Sequence, residues 1–201
     1  DLVLVDDCST DNSLEIAKSY EHFENVTVLS NKENRGAYFS RNRGLTQLND
    51  SHDFFTIHDS DDISYTSRLK TITDSFDANT IGMKTTYIRV DDNHQPIQPH
   101  DIYASEGIAI YRTEAFDKFG YFANTVYAAD TDYWWRVEEY CKQNPKFRVG
   151  ISNEILYLAV SRSNGLTTRH PVSNRGVIYS QIRSDIEQMK NTGNFYRNKF
   201  K

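Results

Sequence analysis

The chain has 201 residues, 38% of them hydrophobic, with 28 Asp and Glu against 23 Lys and Arg for a formal net charge of −5. That length suits a single domain able to bury about 70% of its unfolded surface without disulfide staples, and 13 Tyr and 11 Phe supply much of the core-forming area that a mean hydropathy of −0.68 leaves short. No stretch approaches the ~20 apolar residues that cross a bilayer, no secretory signal pattern opens the sequence, and the acidic balance speaks against a nucleic-acid partner, so the expectation is a cytoplasmic protein, at most peripheral to a membrane.

Leu2-Val3-Leu4-Val5 is a continuous apolar run that predicts a strand buried on both faces. It runs into an acidic turn, Asp6-Asp7-Cys8-Ser9-Thr10-Asp11, and a helix over 12–20 follows, with Asn12 and Glu15 in capping-box spacing. Residues 26–29 predict a second strand, 36–48 a second helix, and 54–57 a third strand that again ends in acid, His58-Asp59-Ser60-Asp61-Asp62. A helix over 65–76 places Leu69, Ile72 and Phe76 on one face, and His58 falls at the buried end of the third strand. Three strand-then-helix units in succession predict an α/β fold with a parallel, doubly wound sheet.

The rhythm changes after residue 80. Strands are expected over 83–90 and 107–112, with an irregular stretch over 97–105 between them, and a short helix begins at Thr113 and stops at Gly120. A strong helix over 129–141 is followed by strands over 147–151 and 155–160. Ile178, Ile182, Ile186 and Met189 mark one face of a C-terminal helix, with a frayed tail from Tyr196. No repeat or linker divides the chain, so residues 1–201 read as one domain. Cys8 and Cys141 lie far apart and in no metal-ligand spacing, and they read as free thiols.

In an open parallel sheet, ligands bind outside the carboxyl ends of the strands. Asp6 and Asp7 fall at one such end and Asp59, Asp61 and Asp62 at another. One acidic turn is ordinary turn chemistry. Two at corresponding ends crowd carboxylates that repel unless a cation or hydrogen-bond donors neutralise them, and hard oxygen donors suit Mg²⁺ or Mn²⁺. A phospho-accepting receiver domain is much shorter than this chain and carries a later Lys-Pro that is missing here. An aspartyl-phosphate phosphatase has Thr or Val where Ile63 stands. Both fit poorly.

A third pattern fits at four places: Val5-Asp6-Asp7-Cys8-Ser9-Thr10-Asp11-Asn12-Ser13; Asn34-Arg35-Gly36 with Ser40-Arg41-Asn42-Arg43-Gly44; Phe55-Thr56-Ile57-His58-Asp59-Ser60-Asp61-Asp62; and Ala129-Asp130-Thr131-Asp132-Tyr133-Trp134-Trp135-Arg136. In this order and spacing the series resembles a family 2 glycosyltransferase of the nucleotide-diphospho-sugar (GT-A) fold, from residue 2 to about residue 140. The resemblance implies a Rossmann-like three-layer α/β/α sandwich with a mostly parallel central sheet. Residues 1–80 would form the nucleotide-sugar half, 81–160 the acceptor half, and 161–201 a C-terminal loop and helix.

By the same resemblance, Asp7 accepts hydrogen bonds from the nucleotide base, and Asp59-Ser60-Asp61 is the family's DXD motif. Asp59 and Asp61 would bind substrate, with Asp61 and Asp62 dividing ribose contact and coordination of Mn²⁺ or Mg²⁺ between them. Gly36 and the segment up to Asn42 would pass near the nucleotide, with Arg41 offsetting phosphate or carboxylate charge. On the residues alone, Gly36 equally marks a helix start and Arg41 an ordinary salt bridge. Asp130 resembles the catalytic base, in a position usually written Glu-Asp, with Ala129 in place of the Glu. Asp132 is the competing candidate for that base; two residues on, it points to another side of the helix, and on the residues alone it reads as a helix-terminal acid, while Trp134 and Trp135 read as packing. Arg162, Arg169 and His170 lie where relatives have a loop over the diphosphate.

The implied reaction is an inverting, metal-dependent transfer from a nucleotide-diphosphate sugar, a UDP-sugar first, to a hydroxyl of a glycan or glycoconjugate acceptor. Members of the family begin with a strand and helix before the position of Leu2. The expectation is therefore a domain lacking them, with an unpaired sheet edge that invites self-association. The alternative is a glycosyltransferase-like domain without activity, serving as a binding module.

Overall fold

The computed structural model describes residues 1–98, 101–125, 127–161 and 175–197. The elements in chain order are β1 (Leu2–Asp6), α1 (Ser13–Lys18), β2 (Val26–Ser30), α2 (Ala37–Leu45), β3 (Phe54–Thr56), β4 (Ile63–Ser64), α3 (Arg68–Asp74), β5 (Thr80–Val90), β6 (Tyr103–Arg112), α4 (Thr113–Phe119), α5 (Ala129–Gln143), β7 (Arg148–Val160) and α6 (Arg175–Thr192). All the long predicted elements form. β6 starts earlier than its sequence pattern indicates, β7 joins two predicted strands through a ladder with register shifts, and the two-residue β4 has no sequence signal.

β1 and β2 pair in parallel, Leu2 opposite Val26 through Asp6 opposite Ser30. The second sheet runs β3-β6-β5-β7-β4. Within it only β5 and β7 are parallel, while β3–β6, β5–β6 and β4–β7 are antiparallel. The α/β architecture is as expected, with a mixed rather than mostly parallel sheet. The connections explain this: β5 reaches β6 with no intervening helix, which permits an antiparallel pair, whereas α4 and α5 supply the crossover that a parallel β5–β7 pair requires.

Among the described residues β1 pairs with β2 alone; it is half-buried, and Leu2 is 49% exposed. The Asn12–Glu15 capping box does not form. Instead the Asp11 carboxylate accepts the Ser13 N–H at 3.0 Å. On α3, Ile72 is fully buried but Leu69 is 55% exposed, so the buried face is narrower than the spacing predicts. His58 is exposed beyond the end of β3, against the expectation of burial. Both cysteines are free thiols.

The core lies between the second sheet and α4, α5 and α6, and it is largely aromatic. Tyr133 of α5 meets Tyr111 of β6 at 5.0 Å and Phe122 at 4.9 Å between ring centroids, and Trp134 is buried beside Tyr111. Trp135 packs instead on Tyr179 of α6. Both tryptophans are therefore packing residues, as expected. The apolar face of α6 is also as predicted, with Ile182 and Ile186 buried.

Inside this core sits a charged cluster. Arg136 and Asp132, one helical turn apart on α5, are both fully buried and paired at 3.0 Å. The Arg136 guanidinium also donates to the carbonyls of Phe119 (2.5 Å), Tyr121 (2.9 Å) and Phe195 (3.2 Å). Burial pulls the Arg136 guanidinium below its usual range, against the opposing pull of Asp132. The second Asp132 oxygen takes Arg197 at 2.7 Å. Removing one member strands a buried charge, at a cost of about 3–5 kcal/mol. Asp132→Asn is expected to lower unfolding free energy by that amount in urea melts, and a loss below ~1 kcal/mol would contradict the burial of the pair.

Candidate functional site

One short helix, α2, touches all three acidic segments that the sequence singles out. Its N-terminus meets Asp7, its middle meets Asp59, and the face between them meets Asp130. Gly36 precedes α2 at φ 87°, a left-handed conformation that favours glycine. That geometry turns the Gly36 N–H to Asp7 Oδ2 at 2.7 Å, while Asp7 Oδ1 accepts the Arg35 N–H at 2.9 Å and the Asn31 side chain at 2.7 Å. Partial burial raises the Asp7 carboxyl, but the bonds from Arg35, Asn31, Gly36 and Ser40 outweigh it and hold the group below the usual carboxylate range. Asn31 also donates to Ser40 at 2.9 Å and accepts from Arg43 at 2.6 Å. Asn42, fully buried, exchanges two 2.9 Å hydrogen bonds with the backbone of Phe122, which fixes α2 against the segment leading to α5.

Arg41, its side chain only 14% exposed, pairs with Asp59 at 2.5 Å. Burial lowers the Arg41 guanidinium, but the Asp59 carboxylate first, with the Tyr38 phenol oxygen and the Asp130 carboxylate, reverses that and raises it. The same guanidinium stacks 4.9 Å over the ring of Tyr38, whose hydroxyl donates to Asp130 Oδ1 at 2.8 Å. Asp130 opens α5 two residues after Ala128, which holds a left-handed φ of 58°. Its Oδ2 faces Gly107 of β6, where an added Cβ would stand 3.0 Å away, so a glycine there leaves room at this oxygen.

Asp62 lies under the turn. Its two oxygens accept the Val160 N–H at 2.8 Å and the Tyr157 hydroxyl at 2.9 Å. Burial raises its carboxyl, against the pull of those two bonds, and the charges of Asp59 and Asp61 push it further up. Below Tyr157 lies Arg68, 2% exposed, which makes no ion pair among the described residues. It donates instead to Ile108 O (2.7 Å), Thr56 Oγ1 (2.8 Å) and Thr85 Oγ1 (3.3 Å), and burial pulls its guanidinium down to about 10. Of the three carboxylates in this turn, Asp61 is the exposed one, and its side chain makes no hydrogen bond or ion pair among the described residues.

These positions bear on a metal. Among the described residues no three His, Cys, Asp or Glu side chains form a metal cage. An exposed hard-oxygen donor at Asp61, with Asp62 beside it, instead fits a cation shared with a diphosphate, since Mg²⁺ commonly takes one or two carboxylates and completes its shell with phosphate and water. Asp6 and Asp11 hold their own turn, Asp6 accepting the Ser9 N–H at 3.3 Å and Asp11 the Ser13 N–H, and Asp6 also accepts the Ser30 hydroxyl of β2 at 3.5 Å. Arg162, Arg169 and His170 lie outside the described residues. Sequence reasoning missed Tyr38, Asn31, Arg68 and Tyr157. Tyr38 was findable, because it stands three residues before Arg41 and shares its helix face, whereas Tyr157 carries no local signal.

Residues 1–129 match the family model described as Glycosyl transferase family 2. The chain belongs to glycosyltransferase family 2. The match stops one residue short of Asp130. Among solved structures, the family 2 chain is similar to S. aureus TarS in complex with UDP-GlcNAc, at 23% identity and a TM-score of 0.59, over 85% of this chain and 52% of that one. The TarS complex with UDP gives 23% identity and 0.57, over 80% and 51%. The mannosyltransferase PcManGT from Pyrobaculum calidifontis, in complex with GDP-Man and Mn²⁺, gives 15% and 0.59, over 81% and 48%. These likenesses establish the GT-A fold, and the chain spans about half the length of these neighbours. A search of curated proteins finds no match.

Asp7→Asn would place an amide N–H₂ against the N–H donors of this family 2 chain. The loop is open to water, so the expected loss at pH 7 is about 1 kcal/mol. Because the Asp7 carboxyl is held below its ordinary 3.8, its contribution is complete above that pH and fades as pH falls below it. Urea melts of the two proteins should therefore converge as the pH is taken down into the acid range. A gap that persisted there would place the effect elsewhere.

Proposed function

We propose that the chain transfers a sugar, with inversion, from a nucleotide-diphosphate donor to a hydroxyl of a glycan or glycoconjugate acceptor. The observation that carries this reading is the convergence of Asp7, Asp59 and Asp130 on α2. Family membership and the nucleotide-bound neighbours, with UDP-GlcNAc in one and GDP-Man in another, support it. A UDP-sugar is the first donor to test.

Asp7, held ionised by the donors of Asn31, Arg35, Gly36 and Ser40, is the carboxylate that would accept an N–H of the nucleotide base. Arg41, held in place by Asp59, offers charge to the diphosphate. Asp61, with Asp62 beside it, would hold Mn²⁺ or Mg²⁺, which when bound supplies Lewis-acid stabilisation of the leaving diphosphate. Asp130 Oδ2 takes the proton of the acceptor hydroxyl as that oxygen attacks the anomeric carbon, which is general-base work. The open edge of β1 is the surface proposed for self-association.

Calorimetry with UDP, GDP and their sugars, with and without Mn²⁺, tests the reading. One nucleotide is expected to bind with a Mn²⁺-dependent gain that Asp61→Asn abolishes. Asp130→Asn is expected to bind the donor normally and lose at least about 10²-fold in turnover. Heat from none of the nucleotides would favour a non-catalytic binding module.

A further inference from the structure

Tyr38 stands between two charged groups of the proposed site and is the residue through which they meet. Its ring is half-buried, packed toward Phe122 with centroids 6.3 Å apart, and the Arg41 guanidinium lies over it at 4.9 Å. These contacts leave the phenol little freedom to turn, and its hydroxyl points to Asp130 Oδ1 at 2.8 Å. Burial, and the Asp130 charge after it, push the phenol above its ordinary range. It therefore keeps its proton throughout the neutral range and acts only as a donor toward the carboxylate.

We propose that Tyr38 is a positioning residue for Asp130: by holding Oδ1 it fixes Oδ2, beside Gly107, as the oxygen offered to the acceptor hydroxyl. This rests on the transferase reading given above. The last torsion of a carboxylate is broad, so the plane of the group must be set by its contacts. Here the Tyr38 hydroxyl on Oδ1, the glycine at 107 that lets Oδ2 lie close to β6, and the Arg41–Asp59 pair beside the tyrosine ring set it. In the reaction the acceptor proton passes to Oδ2, the new C–O bond forms at the anomeric carbon, and the bonding pair of the old C–O bond leaves with the nucleoside diphosphate. The Tyr38 proton stays in place. Because Arg41 also pairs with Asp59, the alignment of the base is tied mechanically to the donor side of the site.

Tyr38→Phe in the full chain separates this role from folding, because the ring and its stacking on Arg41 remain. The probes are UDP-N-acetylglucosamine, UDP-glucose, UDP-galactose and GDP-mannose with Mn²⁺, with water standing in for the acceptor and nucleotide release measured. The expected result is a roughly tenfold fall in kcat, in keeping with the sensitivity of rates to misplaced groups, with donor Kd and thermal midpoint unchanged. A wild-type kcat, or a fall matched by weaker donor binding or a lower midpoint, overturns the proposal. Asp130→Asn run in parallel keeps the two levels apart. If it is inactive while Tyr38→Phe turns over normally, the positioning role fails and the transferase reading stands. If Asp130→Asn turns over at the wild-type rate, or the wild type turns over none of the four donors, both fail.

Discussion

The fold is built around a buried arginine. A guanidinium taken fully out of water is tolerated only when nearly all its N–H groups find acceptors and its charge finds a counter-ion. Arg136 satisfies both conditions by drawing together the end of α4, the Tyr121 backbone, Asp132 on its own helix and the Phe195 carbonyl behind α6. Arg197 then completes the second oxygen of Asp132. The cluster fixes α5 in position and rotation, and Asp130, two residues before Asp132, inherits that placement. The acid that does no proposed chemistry thus sets the address of the one that does.

α2 plays the complementary part on the other side. It carries almost no apolar face of its own, and it is held by polar contacts: Asn42 to the Phe122 backbone, Arg43 to Ser30 and Asn31, and Gly36 to Asp7. Directional bonds of this kind define orientation more sharply than apolar burial, and orientation is what a helix meeting three separate carboxylates requires. The price in solvation is contained because the buried members, Asn31 and Asn42, have partners for their amides. Arg68, buried beneath Tyr157 and compensated only by carbonyl and hydroxyl dipoles, adds positive potential under the acidic turn.

Much of the site was legible because its groups lie in short contiguous motifs at strand and helix ends. Asp7, Gly36, Arg41, Asp59 and Asp130 all come from such stretches, and the structure gives Asp7, Asp59 and Asp130 a shared partner in α2. The eight acids of these motifs exceed the net surplus of five, yet they do not act as one group. Asp6 and Asp11 tie off their own turn, and Asp132 is sequestered with two arginines. Periodicity carries no information about which carboxylate a distant arginine will reach. Strand polarity was illegible for a related reason: β5 and β6 read as strands, but their antiparallel pairing follows from a connection whose residues carry no pattern. β4 is two residues long, too short for any period to register.

Arg197 reaches Asp132 only because α6 delivers the chain to that point. At 1.5 Å and 100° per residue, the 18 residues of α6 act as a ruler laid along α5, with Ile182 and Ile186 as its contact face. Adding or deleting one residue within it would turn that face away from the core and carry Arg197 off its carboxylate together. Length variation among descendants of this sequence should therefore collect in the turns around residues 20–25 and 91–97, which bear no such measure, while α6 keeps its count.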